Sequence, residues 1–122
     1  MATILFIDDD LAIAEAVMIA LESQGHVVLS CTEPTQWPHM IEQSLPDLIL
    51  VDYFIKGVSG EEIIRTLKSS TAFSSIPVLL VSAHSDLKEL AARANADGYL
   101  EKPFDLTTLF EKVHHYTTTQ VK

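Results

Sequence analysis

The sequence has little cysteine and little positive charge. Cys31 is its single cysteine, and eight lysines and arginines are set against seventeen aspartates and glutamates. One cysteine cannot form a disulfide within the chain, so we expect Cys31 to be a small core residue in a reducing compartment. The net charge of −9 disfavours direct binding to nucleic acid and to anionic membranes, because both attract basic surfaces.

Long hydrophobic runs are also missing. No apolar stretch approaches the length of a membrane span, and no basic segment followed by an apolar one marks a signal peptide at the N-terminus. We therefore expect a cytoplasmic protein that does not enter membranes. With 122 residues and 48% hydrophobic composition, the chain can bury one substantial core, which predicts a single domain over residues 1–122.

Strand-like and helix-like segments alternate, which is typical of βαβ units and a parallel sheet. The predicted strands cover residues 4–7, 26–31, 47–52, 77–82 and 99–100. The predicted helices cover residues 11–24, 40–44 and 61–68, followed by one with the apolar stripe Leu87, Leu90, Ala91, Ala94 and one with Leu106, Leu109, Phe110, Val113. Asp105 is an expected N-cap of the last helix, and Ser85 or Asp86 of the helix before it.

Chemically active residues follow the apolar strands. Asp8-Asp9-Asp10 ends the first strand, Asp52 the third and Ser82 the fourth, while Lys102 follows the fifth. The carboxyl ends of parallel strands share one edge of the sheet, where sites of this architecture lie. Two or three carboxylates at a buried edge need a counter-charge. Hard divalent cations such as Mg²⁺ bind carboxylate, carbonyl and water oxygens, so we expect one here.

These residues occur within longer motifs that resemble the response-regulator receiver domains of two-component signalling. The motifs are Asp8-Asp9, Pro46 to Asp52, Ser82-Ala83 and Ala96 to Phe104, in that order along the chain. The resemblance implies a flavodoxin-like, doubly wound (βα)₅ fold with a five-stranded parallel sheet of order 2-1-3-4-5. It also implies a cis peptide bond at Lys102-Pro103.

The resemblance further assigns a role to each strand-end residue. It makes Asp52 the acceptor of a phosphoryl group, with Mg²⁺ held by Asp8, Asp9, Asp52 and the backbone carbonyl of Phe54. Phosphoryl transfer requires mainly positioning and neutralisation of charge, and Lys102 supplies a second positive charge.

The resemblance implies that two further residues transmit the effect of phosphorylation to the rest of the domain. After phosphorylation, Ser82 would bond a phosphoryl oxygen and Tyr99 would swing inward. The implied partners are a histidine kinase or histidine phosphotransfer protein, and either a downstream protein or an output domain. Homodimer formation is also allowed. Whether the chain acts alone or as part of a longer regulator stays open, as do its kinase and pathway.

The resemblance is to a signalling domain, with self-phosphorylation and slow self-dephosphorylation as its only reactions. Two alternatives remain. A haloacid-dehalogenase-like phosphatase would use Asp8 as its nucleophile, but it needs a further acidic pair and a cap for which this chain is too short. A pseudo-receiver would keep the fold as an interaction module without phosphorylation, although no acid and no lysine of the motif is lost here.

The sequence departs from the family pattern near Asp52. Lys56 stands where a proline is usual, Ser59 replaces a frequent aspartate, and Phe54 is unusually large and apolar. Because Phe54 offers no polar atom to orient water, and His84 is expected to border the same opening, we predict slow dephosphorylation. The stretch between Ser82 and Lys102 is short, which leaves the conformation of the fourth helix open.

Overall fold

The computed structural model describes residues 2–118, which are built around one parallel sheet. Its strands in chain order are β1 (Thr3–Ile7), β2 (Val27–Cys31), β3 (Leu48–Asp52), β4 (Phe54–Ile55), β5 (Val58–Ser59), β6 (Val78–Ser82) and β7 (Gly98–Glu101). The five longer strands are parallel to their neighbours in the order β2-β1-β3-β6-β7. The predicted order 2-1-3-4-5 of the main strands is therefore confirmed.

Five helices connect the strands and cover both faces of the sheet. They are α1 (Leu11–Glu22), α2 (Trp37–Ser44), α3 (Gly60–Ser69), α4 (Leu87–Ala94) and α5 (Leu106–Thr118). Side chains alternate between the two faces along a strand, so Leu5 and Ile7 pack on α2, α3 and α4, while Ile4 and Phe6 pack on α1 and α5. A sheet covered on both faces explains why its strands read as unbroken apolar runs.

The helix predictions are correct in place but not in every detail. A 3₁₀ turn (Pro34–Gln36) precedes α2, which begins at Trp37 rather than at residue 40. Pro38 lies in the first turn of α2, where its missing N–H removes no helical hydrogen bond. The fourth helix, left open from the sequence, forms over Leu87–Ala94. None of these helices is long and apolar enough to cross a bilayer, within residues 2–118.

One of the two predicted helix caps forms its hydrogen bond and the other does not. Asp105 Oδ1 accepts the backbone N–H of Thr108 at 2.8 Å, as expected of a residue at the start of α5. Of the two predicted caps of α4, Asp86 occupies the N-cap position, but its side chain makes no capping hydrogen bond, so the position is confirmed and the hydrogen bond is not. Leu106 is 57% exposed, so it does not belong to the buried stripe of α5 that was predicted to contain it.

The segment after Asp52, which lies outside the predicted strands and helices, contains a small hairpin. β4 and β5 pair antiparallel, with Phe54 opposite Ser59 and Ile55 opposite Val58. The hairpin leads directly into α3, so the carboxyl end of β3 and the amino end of α3 are held together. At the far side of the same sheet edge, the Lys102–Pro103 peptide bond is cis, as the resemblance implied.

Candidate functional site

Three carboxylates meet at the carboxyl edge of the sheet. Asp8 and Asp9 follow β1, and Asp52 ends the neighbouring β3, whose Val51 pairs with Ile7 of β1. One carboxylate oxygen from each of Asp8, Asp9 and Asp52 lies within 4.8 Å of the other two. The structure thus brings together the three acids that the sequence placed at strand ends.

Asp8 is the most buried of the three. Its residue surface is 1% exposed, its Oδ1 accepts the Asp10 backbone N–H at 2.9 Å, and its Oδ2 lies 3.3 Å from Lys102 Nζ. Burial raises the pKa of the Asp8 carboxyl, and the nearby charge of Asp52 raises it further, against the lowering effects of the Asp10 amide and Lys102. Asp8 is therefore a carboxylate whose charge is incompletely balanced. Asp10 separately caps α1 through the N–H groups of Ala12 and Ile13.

Lys102 is the cation of this edge. Its Nζ donates to Asp52 Oδ1 at 2.8 Å and also contacts Asp8, and its side chain is only 21% exposed. Burial by itself lowers the Lys102 pKa, but hydrogen bonds and charge from Asp52 and Asp8 outweigh it, so the pKa is raised. Lys102 consequently stays protonated and ties the two acidic strands to the loop after β7.

The donor set fits a hard divalent cation. Among residues 2–118, the one ammonium that contacts this cluster is that of Lys102, which reaches Asp8 and Asp52, so three carboxylates leave an excess of negative charge. Among the described residues, Asp9 and Asp52 each have one oxygen that no protein donor reaches. Carboxylate oxygens without a protein donor are the ligands that Mg²⁺ prefers, usually together with water. The carbonyl of Phe54 as a further ligand stays a prediction.

The two switch candidates lie on the neighbouring strands. Ser82 ends β6, is 7% exposed, and its Oγ accepts the backbone N–H of His84 at 3.0 Å. Tyr99 is half-buried in β7, opposite Leu80 of β6, and the Nζ of Lys112 lies 5.2 Å from the centre of its ring. Ser82 thus lies at the carboxyl edge of the sheet and Tyr99 on the adjacent strand, and their switching remains a prediction.

The residues after Asp52 form the rim of the site. Phe54 is 61% exposed, so its ring is largely open to solvent in this conformation. Lys56 donates its backbone N–H to Asp9 Oδ2 at 3.2 Å, a contact that sequence reasoning missed. His84 is exposed and stacks edge-on against Tyr53, with 5.9 Å between ring centres.

Gly60 lets α3 start against the acidic strand. A β-carbon at this position would lie 2.1 Å from the carbonyl oxygen of Asp52, and the Gly60 N–H donates to the Tyr53 carbonyl at 2.6 Å. Any side chain at residue 60 would therefore push the helix away from Asp52. Sequence reasoning gave no reason for this close approach, because a glycine before a predicted helix is common in any loop.

A second charged cluster, also missed, lies one residue further along. Glu61 is 7% exposed, and its carboxylate accepts Arg93 Nε at 2.9 Å, Arg93 Nη2 at 3.0 Å and the guanidinium of Arg65. In the sequence, Glu61 is only the first residue of the predicted helix 61–68, where an acid suits the positive end of the helix. The four-residue spacing of Glu61 and Arg65 was a readable signal, but nothing local pointed to Arg93 on α4.

Comparison with known proteins identifies the family. The model of the response regulator receiver domain matches residues 4–114. The phosphate regulon transcriptional regulatory protein PhoB of Pseudomonas aeruginosa is 36% identical over 104 residues, which are 84% of this chain and 45% of that protein. The transcriptional regulator RpaA of Synechocystis is 33% identical over 115 residues, 93% of this chain and 48% of that protein. The chain thus spans about half the length of these relatives.

Solved structures agree in fold. A protein described as a response regulator of Chloroflexus aurantiacus superposes with a TM-score of 0.90 at 26% identity, over 96% of this chain and 98% of the other. The chemotaxis protein CheY4 of Vibrio cholerae has a TM-score of 0.87 at 22% identity, over 95% and 98% of the two chains. With the acid cluster, the lysine and the family match taken together, the chain belongs to the response-regulator receiver domains.

Proposed function

We propose that this receiver domain accepts a phosphoryl group on Asp52 from the phosphohistidine of a histidine kinase or a histidine phosphotransfer protein. The observation that supports it most is the surroundings of Asp52. One of its oxygens is held by Lys102 at 2.8 Å, and the other has no donor among the described residues. Asp52 is thereby both oriented and available as a nucleophile.

The proposed transfer needs charge neutralisation more than covalent chemistry. Mg²⁺, when held by Asp8, Asp9 and Asp52, would neutralise phosphoryl oxygens. An Asp52 oxygen attacks phosphorus, the bond from phosphorus to the histidine nitrogen breaks, and that nitrogen keeps the bonding electron pair. The Lys102 ammonium, already beside Asp52, is placed to bind a phosphoryl oxygen of the resulting acyl phosphate.

The burial of Asp8 argues against the phosphatase alternative. A nucleophile must reach its substrate, whereas Asp8 is 1% exposed and has both oxygens in contact with protein donors. Asp52 has 15% of its side chain exposed and keeps one oxygen without a donor. The pseudo-receiver alternative is distinguished from the proposed function by the labelling experiment below.

Phosphorylation should be tested with a small donor. The protein is incubated with acetyl phosphate or phosphoramidate and Mg²⁺, and the acyl phosphate is located by mass spectrometry. We expect label on Asp52, none in Asp52→Asn, and none in EDTA. Undiminished labelling of Asp52→Asn contradicts the proposal. Loss of label only in Asp8→Asn supports the phosphatase, and no label in any variant supports the pseudo-receiver.

We also propose that Ser82 and Tyr99 report phosphorylation together. Ser82 is nearly buried at the end of β6, and Tyr99 lies on the adjacent β7. Ser82 Oγ accepts the His84 amide, and its own hydroxyl hydrogen would donate to a phosphoryl oxygen, which adds a hydrogen bond at the site. In Ser82→Ala, labelling should persist while the coupling to partner binding falls by about 1.5 to 3 kcal/mol, the value of a hydrogen bond to a charged group.

Beryllofluoride, a phosphoryl mimic, provides the test. Chemical shifts near Tyr99 should change on its addition to wild type and change much less in Ser82→Ala. Equal changes in both proteins contradict the coupling. Ser82→Thr keeps a hydroxyl in the same place and should behave like wild type.

The consequence of phosphorylation is proposed from the relatives. PhoB and RpaA are described as transcriptional regulators, and the matched region is about half of each protein. We propose that this domain controls either an output domain on the same chain or a separate protein in the cytoplasm. Gel-shift assays of the isolated domain should detect no DNA binding, since its net charge is −9.

A further inference from the structure

The tip of the β4–β5 hairpin has a backbone conformation that most residues avoid. Its two central residues, Lys56 and Gly57, have φ angles of +46° and +83°. A two-residue turn with both φ angles positive is the type I′ turn, whose twist matches an antiparallel hairpin. Glycine adopts such angles freely, whereas lysine does so at a cost. A lysine in this conformation therefore requires support from its contacts.

Within the described part of the chain, Lys56 makes two polar contacts outside the hairpin. Its backbone N–H donates to Asp9 Oδ2 at 3.2 Å, across 47 positions of sequence. Its ammonium pairs with the carboxylate of Glu33 in the loop after β2, and both side chains are about half exposed. Glu33 is itself tied to the core, because its carbonyl accepts the thiol of buried Cys31 at 3.1 Å. The hairpin tip thus joins the loops after β1 and β2.

The amide of residue 56 is the only donor to Asp9 among the described residues. A proline at this position, which the family pattern favours, has no N–H and has its φ fixed near −65°. Proline there would remove the donor to Asp9 and would be incompatible with the observed turn. The lysine is therefore a departure from the pattern that adds a hydrogen bond to a predicted metal ligand.

We propose that Lys56 is a positioning residue for the divalent cation. Its amide holds one oxygen of Asp9 and leaves the other for the metal, while the pair with Glu33 fastens the hairpin tip. Partners that orient a ligating carboxylate raise metal affinity because less freedom is lost on binding. The inference rests on the proposed function of the acidic site.

Magnesium affinity measured by calorimetry tests the role directly. One variant carries the α-hydroxy analogue of lysine at position 56, which replaces the N–H by an ester oxygen and keeps the side chain. Lys56→Pro removes both the N–H and the turn, and Lys56→Gly keeps both but lacks the ammonium. Asp9→Asn is the reference for loss of the ligand, and unfolding in EDTA shows that each variant is folded.

The ester and Lys56→Pro should each weaken Mg²⁺ binding on the order of tenfold, and Lys56→Gly by only about twofold. Equal Kd values for the ester and wild type would overturn the inference. So would an equal loss in Lys56→Gly and Lys56→Pro, since glycine retains the N–H. If Asp9→Asn also binds Mg²⁺ like wild type, the proposed metal site itself is wrong. If Asp9→Asn loses Mg²⁺ binding but the ester variant does not, the metal site is correct and only the role of the Lys56 amide is wrong.

Discussion

Two buried carboxylates, Asp8 and Glu61, show opposite solutions to burying negative charge in one small domain. Asp8 is 1% exposed and shares the ammonium of Lys102 with Asp52. Glu61 is 7% exposed and has two guanidinium groups to itself, from Arg65 and Arg93. Burial raises the pKa of Asp8, whereas the hydrogen bonds of Arg93, together with both positive charges, lower the pKa of Glu61.

The difference separates a site from a structural contact. The negative charge of Glu61 is fully compensated by two arginines, and the cluster joins α3 to α4 without need of a ligand. Around Asp8 the negative charge exceeds the positive charge, so a bound cation would complete the compensation. Incomplete compensation of a buried acid is thus a physical mark of a binding site, and full compensation is not. Matched amide substitutions in the two clusters put this to the test.

The largest expected effect is at the acidic edge. In EDTA, Asp9→Asn should raise the free energy of unfolding by roughly 1 to 3 kcal/mol, because it relieves repulsion among the three carboxylates. Saturating Mg²⁺ should reverse the ranking, since it binds the folded intact site and stabilises it by mass action. Urea unfolding with and without Mg²⁺ measures both values. Equal stability of the two proteins in EDTA would contradict the repulsion.

The same change at the other cluster should have the opposite sign. Glu61→Gln removes the charge that two arginines share and should lower the free energy of unfolding by about 1.5 kcal/mol, with or without Mg²⁺. Glu62→Gln, on the exposed neighbour in α3, is the control and should change little. A higher free energy of unfolding for Glu61→Gln than for wild type would contradict the proposed difference between the two clusters.

A third measurement concerns water at the acidic site. Phe54 has no polar atom to orient a hydrolytic water, so Phe54→Asn should speed loss of the phosphoryl group about tenfold, which corresponds to 1.36 kcal/mol of barrier. Phe54→Leu keeps the site apolar and should decay like wild type. Decay is followed at saturating Mg²⁺. The 61% exposure of Phe54 makes this a sharp test, because a ring that stays turned outward would leave all three rates equal.

The smallest effect is in the pH dependence of stability in EDTA. The folded-state pKa of Glu61 lies below its usual 4.5, so its stabilisation is present above that pH and is lost as the pH falls through the folded value. The pKa of Asp8 is raised above 3.8, so its contribution is most favourable at low pH and is lost as the pH rises through the folded value. Subtracting the curves of Glu61→Gln and Asp8→Asn from wild type should give opposite slopes. Slopes of the same sign would contradict the comparison.

Sequence patterns predicted that the three acids would lie close together, because each lies at or just after the carboxyl end of a strand. Asp8, Asp52 and Ser82 each follow an apolar run, and parallel strands bring their carboxyl ends to one edge regardless of helix details. The strand order came from the family resemblance rather than from the residues alone. The predicted start of α2 at residue 40 was three residues late, because the irregular stretch before it was expected to be a loop, although proline is accepted in the first turn of a helix.

The contacts that were missed depend on how separate elements dock. Glu61 and Arg93 are 32 positions apart, and they meet only because α3 and α4 pack on the same face of the sheet. The contact from Lys56 to Asp9 depends on a positive φ, which a lysine does not signal in a sequence. Such contacts follow from the assembled fold, whereas strand-end positions are properties of single segments.

The close approach of Gly60 to Asp52 limits how this domain can evolve or be redesigned. Position 25 has open space around it and tolerates a side chain at the cost of a strained φ, whereas position 60 has no room for even a methyl group. In a library of all single substitutions, residue 60 should be depleted of every amino acid except glycine under selection for signalling. Recombination with other receivers should therefore preserve the segment from β3 to the start of α3 as one inherited block.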